Sequence, residues 1–134
     1  MDTNSELTID LDNLREEFCR AAANVDWSHT LAAQAEADVQ ETKDELERVR
    51  CRLSGFHRAL LKGQDVKPTE QILEEQIVKS TDYIVAQRNY VEAIKRKGVQ
   101  KGTALAYLKK ADMLVSLGAL VRAEMNLLPT IRNQ

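Results

Sequence analysis

The sequence predicts an all-α protein: a long N-terminal helix with a heptad seam, then an antiparallel helical pair, in an oligomeric helical assembly. Three observations carry this. Aromatic residues make up 4% of the 134 positions and there are two prolines and five glycines, while Ala, Leu, Glu, Lys, Arg and Gln dominate; that is helix-forming material with little for a β-sandwich. One heptad register runs from Leu11 to Leu60. A Gly-to-Pro turn at 63–68 then separates this segment from two further periodic ones. With 43% apolar and 30% charged residues, the chain reads as one folded domain spanning residues 1–134.

Residues 1–10 are polar and acidic and are expected to fray, with Asp10 or Asp12 capping a helix over 11–62. In that helix Leu11, Phe18, Val25, Ala32, Val39, Leu46, Leu53 and Leu60 occupy position a, and Leu14, Ala21, Ser28, Ala35, Thr42, Val49 and Phe56 position d. The seam is weakest where Asp26, Trp27 and Ser28 interrupt good helix formers, so a break near residue 26 is an open alternative. A seam this long needs a partner, folded back or from another copy. The spacing selects Val39, Leu46, Val49, Leu53, Phe56 and Leu60 as an oligomer interface.

A second helix is expected over 69–97, with Leu73, Ile77, Ile84, Val91 and Ile94 on one face and Tyr83 and Tyr90 beside it. Glutamates open it, and Lys95, Arg96 and Lys97 close it before Gly98, an order that complements the helix dipole. A turn at Gly98 to Gly102 then leads to a third helix over 103–128, apolar on more than one face and ended by Pro129.

The net charge of −2 excludes global basicity, so any polyanion site has to be local. Cys19 and Cys51 have neither disulfide-framework nor metal spacing, and the N-terminus lacks a signal-peptide pattern, which points to the cytoplasm. The most apolar run, 113–121, is far short of a membrane span, so no membrane segment is expected. No phosphate loop, metal cluster or nucleophile motif appears, so neither a catalytic site, a metal nor a cofactor is expected. His29 and His57 read as surface or seam-flanking residues, and Trp27 and the tyrosines as helical packing.

The densest basic cluster is Arg48, Arg50, Arg52 and Arg58, with Lys62 beyond it. Glu45 at g and Arg50 at the following e, like Asp38 and Lys43, are spaced for ion pairs across a parallel coiled coil. That spacing gives Arg52 and Arg58 no acidic partner, and unpaired cations repeated around an oligomer suit a phosphate backbone.

The run Val49-Arg50-Cys51-Arg52-Leu53, followed by Phe56, and the later Lys101-Gly102-Thr103-Ala104-Leu105 lie in the order seen in one known family. Over most of residues 20–125 the chain resembles the UvsY-type recombination mediators of tailed phages. The resemblance implies a non-enzymatic homo-oligomer of more than two copies that binds single-stranded DNA. Such a protein weakens the hold of single-strand-binding protein and helps load a RecA-like recombinase. Arg50 and Arg52 match the family's DNA-contacting positions; local charge adds Arg48, Arg58 and Lys62. The competing reading is a structural or regulatory coiled-coil module, such as a small phage protein that binds and inhibits a host factor.

Overall fold

In the computed structural model, residues 7–10 and 13–132 are described, with side chains through residue 127. The expectations for residues 1–6, for a helix start at Leu11 and for a cap at Asp12 lie outside the described residues. The chain is all-helical there: α1 spans Leu14–Gly63, α2 Glu70–Lys79 and α3 Thr81–Arg132. A long helix, a short one and a second long helix that packs against the first make up the architecture.

α1 runs unbroken through Asp26. Its polar residues turn back on their own helix: Ser28 Oγ donates to the Val25 carbonyl at 3.0 Å, and Thr30 Oγ1 to the Asp26 carbonyl at 3.0 Å. Hydroxyls satisfied in this way sit inside a helix without ending it. The helix stops in a six-residue cap in which Val66 N–H donates to the Leu61 carbonyl (3.0 Å) and Asp65 N–H to the Lys62 carbonyl (3.2 Å). The left-handed residue is Asp65, with φ 54°, while Gly63 is the last helical position. This is the Schellman arrangement, with an aspartate at the position where glycine is usual.

Thr69 caps α2 by accepting from Ile72 N–H at 3.3 Å. Ser80 then interrupts the helix for one residue: it is extended, its N–H donates to the Ile77 carbonyl, and its carbonyl accepts the first bond of α3 from Ile84. The break expected at Gly98 to Gly102 is therefore absent, and the chain divides 18 residues earlier, counting from Gly98 to Ser80. Two glycines weaken a helix by only about 1 kcal/mol each, and packing on one side overrides that. Gly98 is helical and a Cβ built there meets nothing within 4 Å. Gly98→Ala is expected to stabilise the protein by about 1 kcal/mol, read as a raised midpoint in urea titration. At the far end α3 runs on to Arg132, past Pro129, where the helix was expected to end.

Two compact units divide the chain: residues 33–99, and the residues up to 32 together with those from 100 onward. In the 33–99 unit Val49 (5% exposed) and Leu53 (8%) pack with Ile77, Tyr83 and Ala86, and Leu46 lies against them. Leu73 is buried as well. The order of cross-helix pairs, Arg58 with Glu70, Arg52 with Asp82 and Asp38 with Arg96, runs α2 and α3 antiparallel to α1.

The other unit has a more polar interior. Leu114 (0% exposed), Tyr107 and Ala104 are buried beside Glu17, Asn24, Ser28 and Lys110. Lys110 Nζ stands 2.9 Å from Glu17 Oε2, and the Trp27 ring meets Tyr107 edge-on at 6.1 Å. Arg20 and the Asp10 N–H also reach Glu17, at 3.4 Å each. The Lys110 hydrogen bond is the main reason the Glu17 carboxyl titrates below its ordinary value.

The seam thus finds its cover inside the chain. On α3 the residues turned inward, Tyr83, Ala86 and Ala93 in one unit and Ala104, Tyr107 and Leu114 in the other, follow steps of three and then seven in each unit, the spacing of one heptad face. Small residues let α3 approach α1 closely, and the larger Ile84, Val91 and Ile94, expected at the packed face, are exposed instead. Val49 and Leu53 are corrected accordingly from oligomer contacts to intramolecular core. Val39 and Leu46 are half-buried, and Phe56 and Leu60 alone of the six expected interface residues are exposed. The reason is length: the Arg52 to Asp82 contact marks where α3 begins, so it does not cover the seam beyond Leu53.

Candidate nucleic-acid interface

The basic cluster lies on α1 in the 33–99 unit, where helical spacing separates its members. Arg48, Arg52 and Phe56 follow one another every four residues and share a face, while Arg50 and Arg58 project toward α2. Arg50 hydrogen-bonds Glu74, and that bond raises the Arg50 pKa further above its ordinary value. Arg52 donates to Asp82 at 3.0 Å, Arg58 lies 3.6 Å from Glu70, and Arg48 donates to Glu45 within α1 at 3.0 Å. Lys62, in the last turn of α1, has no carboxylate within ion-pair distance among the described residues.

Two expectations are corrected here. Arg52 and Arg58 do have acidic partners, supplied by the starts of α3 and α2. Within the chain, Glu45 holds Arg48, and Asp38 lies 3.8 Å from Arg96. The expectation took the partner helix to be a parallel second copy, whereas the helices that meet these arginines are antiparallel and belong to the same chain. The helix-dipole account of Lys95, Arg96 and Lys97 also fails, because no helix ends at Gly98. These residues pair instead, Lys95 with Glu92, Arg96 with Asp38 and Lys97 with Glu36. The acidic run at 36–47 facing the basic run at 95–97 was the available signal for this pairing.

All four arginine pairs are solvent-exposed, and such pairs contribute little to stability. Arg50→Ala with Arg52→Ala is expected to lower stability by less than about 1 kcal/mol per pair, read from urea titration. A shallow open groove of about 360 Å³ between α1 and α2 is lined by Arg50, Arg58, Glu70 and Glu74, with Leu73 and Ile77 at its base. Its two cations and two carboxylates balance. Phe56 stands outside this groove, 60% exposed, with the His57 ring edge-on at 5.2 Å.

Fold and site together define an all-helical protein in which a long helix and its antiparallel partner present a paired arginine row with the exposed Phe56 beside it. Among the described residues no helix is long and apolar enough to cross a membrane. No protein-family model, curated protein or solved structure matches this chain.

Proposed function

We propose that the chain is a non-enzymatic recombination mediator of the phage type, acting in the cytoplasm, that of the host where a phage encodes it. As a homo-oligomer of more than two copies it binds single-stranded DNA and helps load a RecA-like recombinase onto DNA covered by single-strand-binding protein. The observation that carries this reading is Phe56, held in water one helical turn beyond Arg52. Single-strand binders combine cations that track the phosphates with aromatic faces on which bases stack. Arg48, Arg52 and Phe56 supply both along one face, with Arg50, Arg58 and Lys62 around them. The exposed carboxylates opposite the arginines are weak competitors, so a phosphate can displace them.

One observation favours the alternative, a coiled-coil interaction module that binds a host factor: Arg50, Arg52 and Arg58 are already engaged as straps between helices. Fluorescence anisotropy with a labelled oligothymidylate separates the two. Phe56→Ala is expected to weaken binding about tenfold, within the ~1–3 kcal/mol of a base stack. Arg50→Ala with Arg52→Ala should also flatten the salt dependence by about 0.7 log units per lost phosphate contact. Wild-type protein that leaves the oligonucleotide free at low salt would exclude the mediator and leave the module.

A further inference from the structure

The 33–99 unit leaves two helix faces without a partner, and they differ in chemistry. On α3, Ile84, Arg88, Val91 and Lys95 recur at steps of four, three and four, on the side away from the buried Ala86 and Ala93. Ile84 is 44% and Val91 42% exposed. Arg88 has no carboxylate within ion-pair distance among the described residues, and Lys95 has only Glu92 of its own helix at 3.7 Å. This is an aliphatic row set with cations.

On α1, Ala37, Glu41 and Asp44 recur at steps of four and three, and all are exposed, opposite the buried Ala35 and Val49. Arg48, at the next step, pairs with Glu45 of its own helix and belongs to the arginine row beyond this face. Neither Glu41 nor Asp44 has a cation within ion-pair distance among the described residues; Asp44 accepts only from Gln40, at 2.9 Å. This face is acidic, and its apolar member, Ala37, is small, which lets the larger side chains of another helix settle against it.

We propose that the outer face of α3 in one copy seats on the outer face of α1 in the next, with Arg88 and Lys95 against Glu41 and Asp44. The inference rests on the homo-oligomeric part of the function proposed above and names its contact. Homotypic pairing is disfavoured, since α3 on α3 sets cations against cations and α1 on α1 sets carboxylates against carboxylates. Pairing unlike faces satisfies both and covers Ile84 and Val91. Because the two faces are different surfaces of one chain, the contact is heterologous: each copy keeps one face free for a further copy. A contact of that kind grows past a dimer and closes as a ring or runs on as a filament.

The test uses two charge-reversed proteins and light scattering. One carries Arg88→Glu with Lys95→Glu, the other Glu41→Lys with Asp44→Lys. All four side chains are exposed and none has a hydrogen bond or ion pair to another helix among the described residues, so circular dichroism should show both folded. Wild type is expected to scatter as a multiple of 15.1 kDa, and each variant alone at 15.1 kDa. Mixed in equal amounts, the two should reassemble, because the reversed α3 face of one variant then meets the reversed α1 face of the other, and the two unreversed faces meet likewise, so that every contact again joins opposite signs. Variants that stay assembled, or that dissociate and fail to reassemble when mixed, overturn this contact and leave the oligomer and its DNA binding standing. A monomeric wild type overturns the contact and the oligomeric part of the function together.

Discussion

Lys110→Met is expected to destabilise the protein by about 3 kcal/mol at pH 7, on the order of 10 °C in Tm. The lysine is buried against Glu17, itself buried, and its removal strands a carboxylate in a poorly hydrated site. Losing one partner of a buried pair typically costs about 3–5 kcal/mol. The lower end applies here because Arg20 and the Asp10 N–H still reach Glu17. The pH dependence gives the sign. In the wild type the folded-state pKa of Glu17 is below its ordinary 4.5, chiefly through the Lys110 hydrogen bond. A lowered carboxyl contributes stability above the unfolded pKa and loses it as pH falls through the folded one. Without Lys110 that contribution is gone, and burial favours the protonated acid. The gap between variant and wild type should therefore be widest near neutrality and narrow as pH falls below about 4.5, in urea titrations at a series of pH values. A gap that does not change with pH would mean that the loss is one of packing and not of charge. Glu17→Leu combined with Lys110→Met removes both charges and should recover most of the stability.

Leu53→Asp is expected to unfold the 33–99 unit and not merely to separate subunits. Leu53 packs with Val49, Ile77, Tyr83 and Ala86, all of its own chain, and a carboxylate there would be buried in an apolar cluster. Losing the apolar side chain costs about 2–5 kcal/mol by itself, and burying a charge adds to that, an amount comparable with the whole stability of a small domain. Circular dichroism should show a large fall in helicity at every protein concentration. Retained helicity together with a drop in scattering mass would identify Leu53 as an intermolecular contact after all. Phe56→Asp is the companion measurement: that side chain is exposed, so helicity should hold.

Ser80 and Gly98 show where reading the chain residue by residue misplaces a boundary. Gly98 and Gly102, after three basic residues, look like a helix end, yet both are carried in α3. Helix propensity is worth about 1 kcal/mol at such a position, and a packed face repeated on either side of it is worth more. Ser80 carries only a weak local signal. It becomes a boundary because its backbone bonds serve α2 on one side and α3 on the other, with Glu74 tied to Arg50 before it and Asp82 to Arg52 after it.

The class and the long first helix were legible in the chain alone: aromatics are scarce, the helix formers abundant and the period of seven unbroken, and these are local properties that need no knowledge of the partner. Only the tertiary structure decided which helix covers the seam. Leu46, Val49 and Leu53 have the same spacing whether they face a second copy or α3 of their own chain, because periodicity fixes a face and not its occupant. The same holds for the cluster. Arg52 and Arg58 looked free of carboxylates along α1, and Arg50 looked spaced for Glu45 of a second copy, but the partners of Arg50, Arg52 and Arg58 are Glu74, Asp82 and Glu70, which lie 24, 30 and 12 positions away, counting along the chain. Charge pairing across an antiparallel fold depends on where the turn falls. Here that was set by the cap at Asp65 and the one-residue break at Ser80.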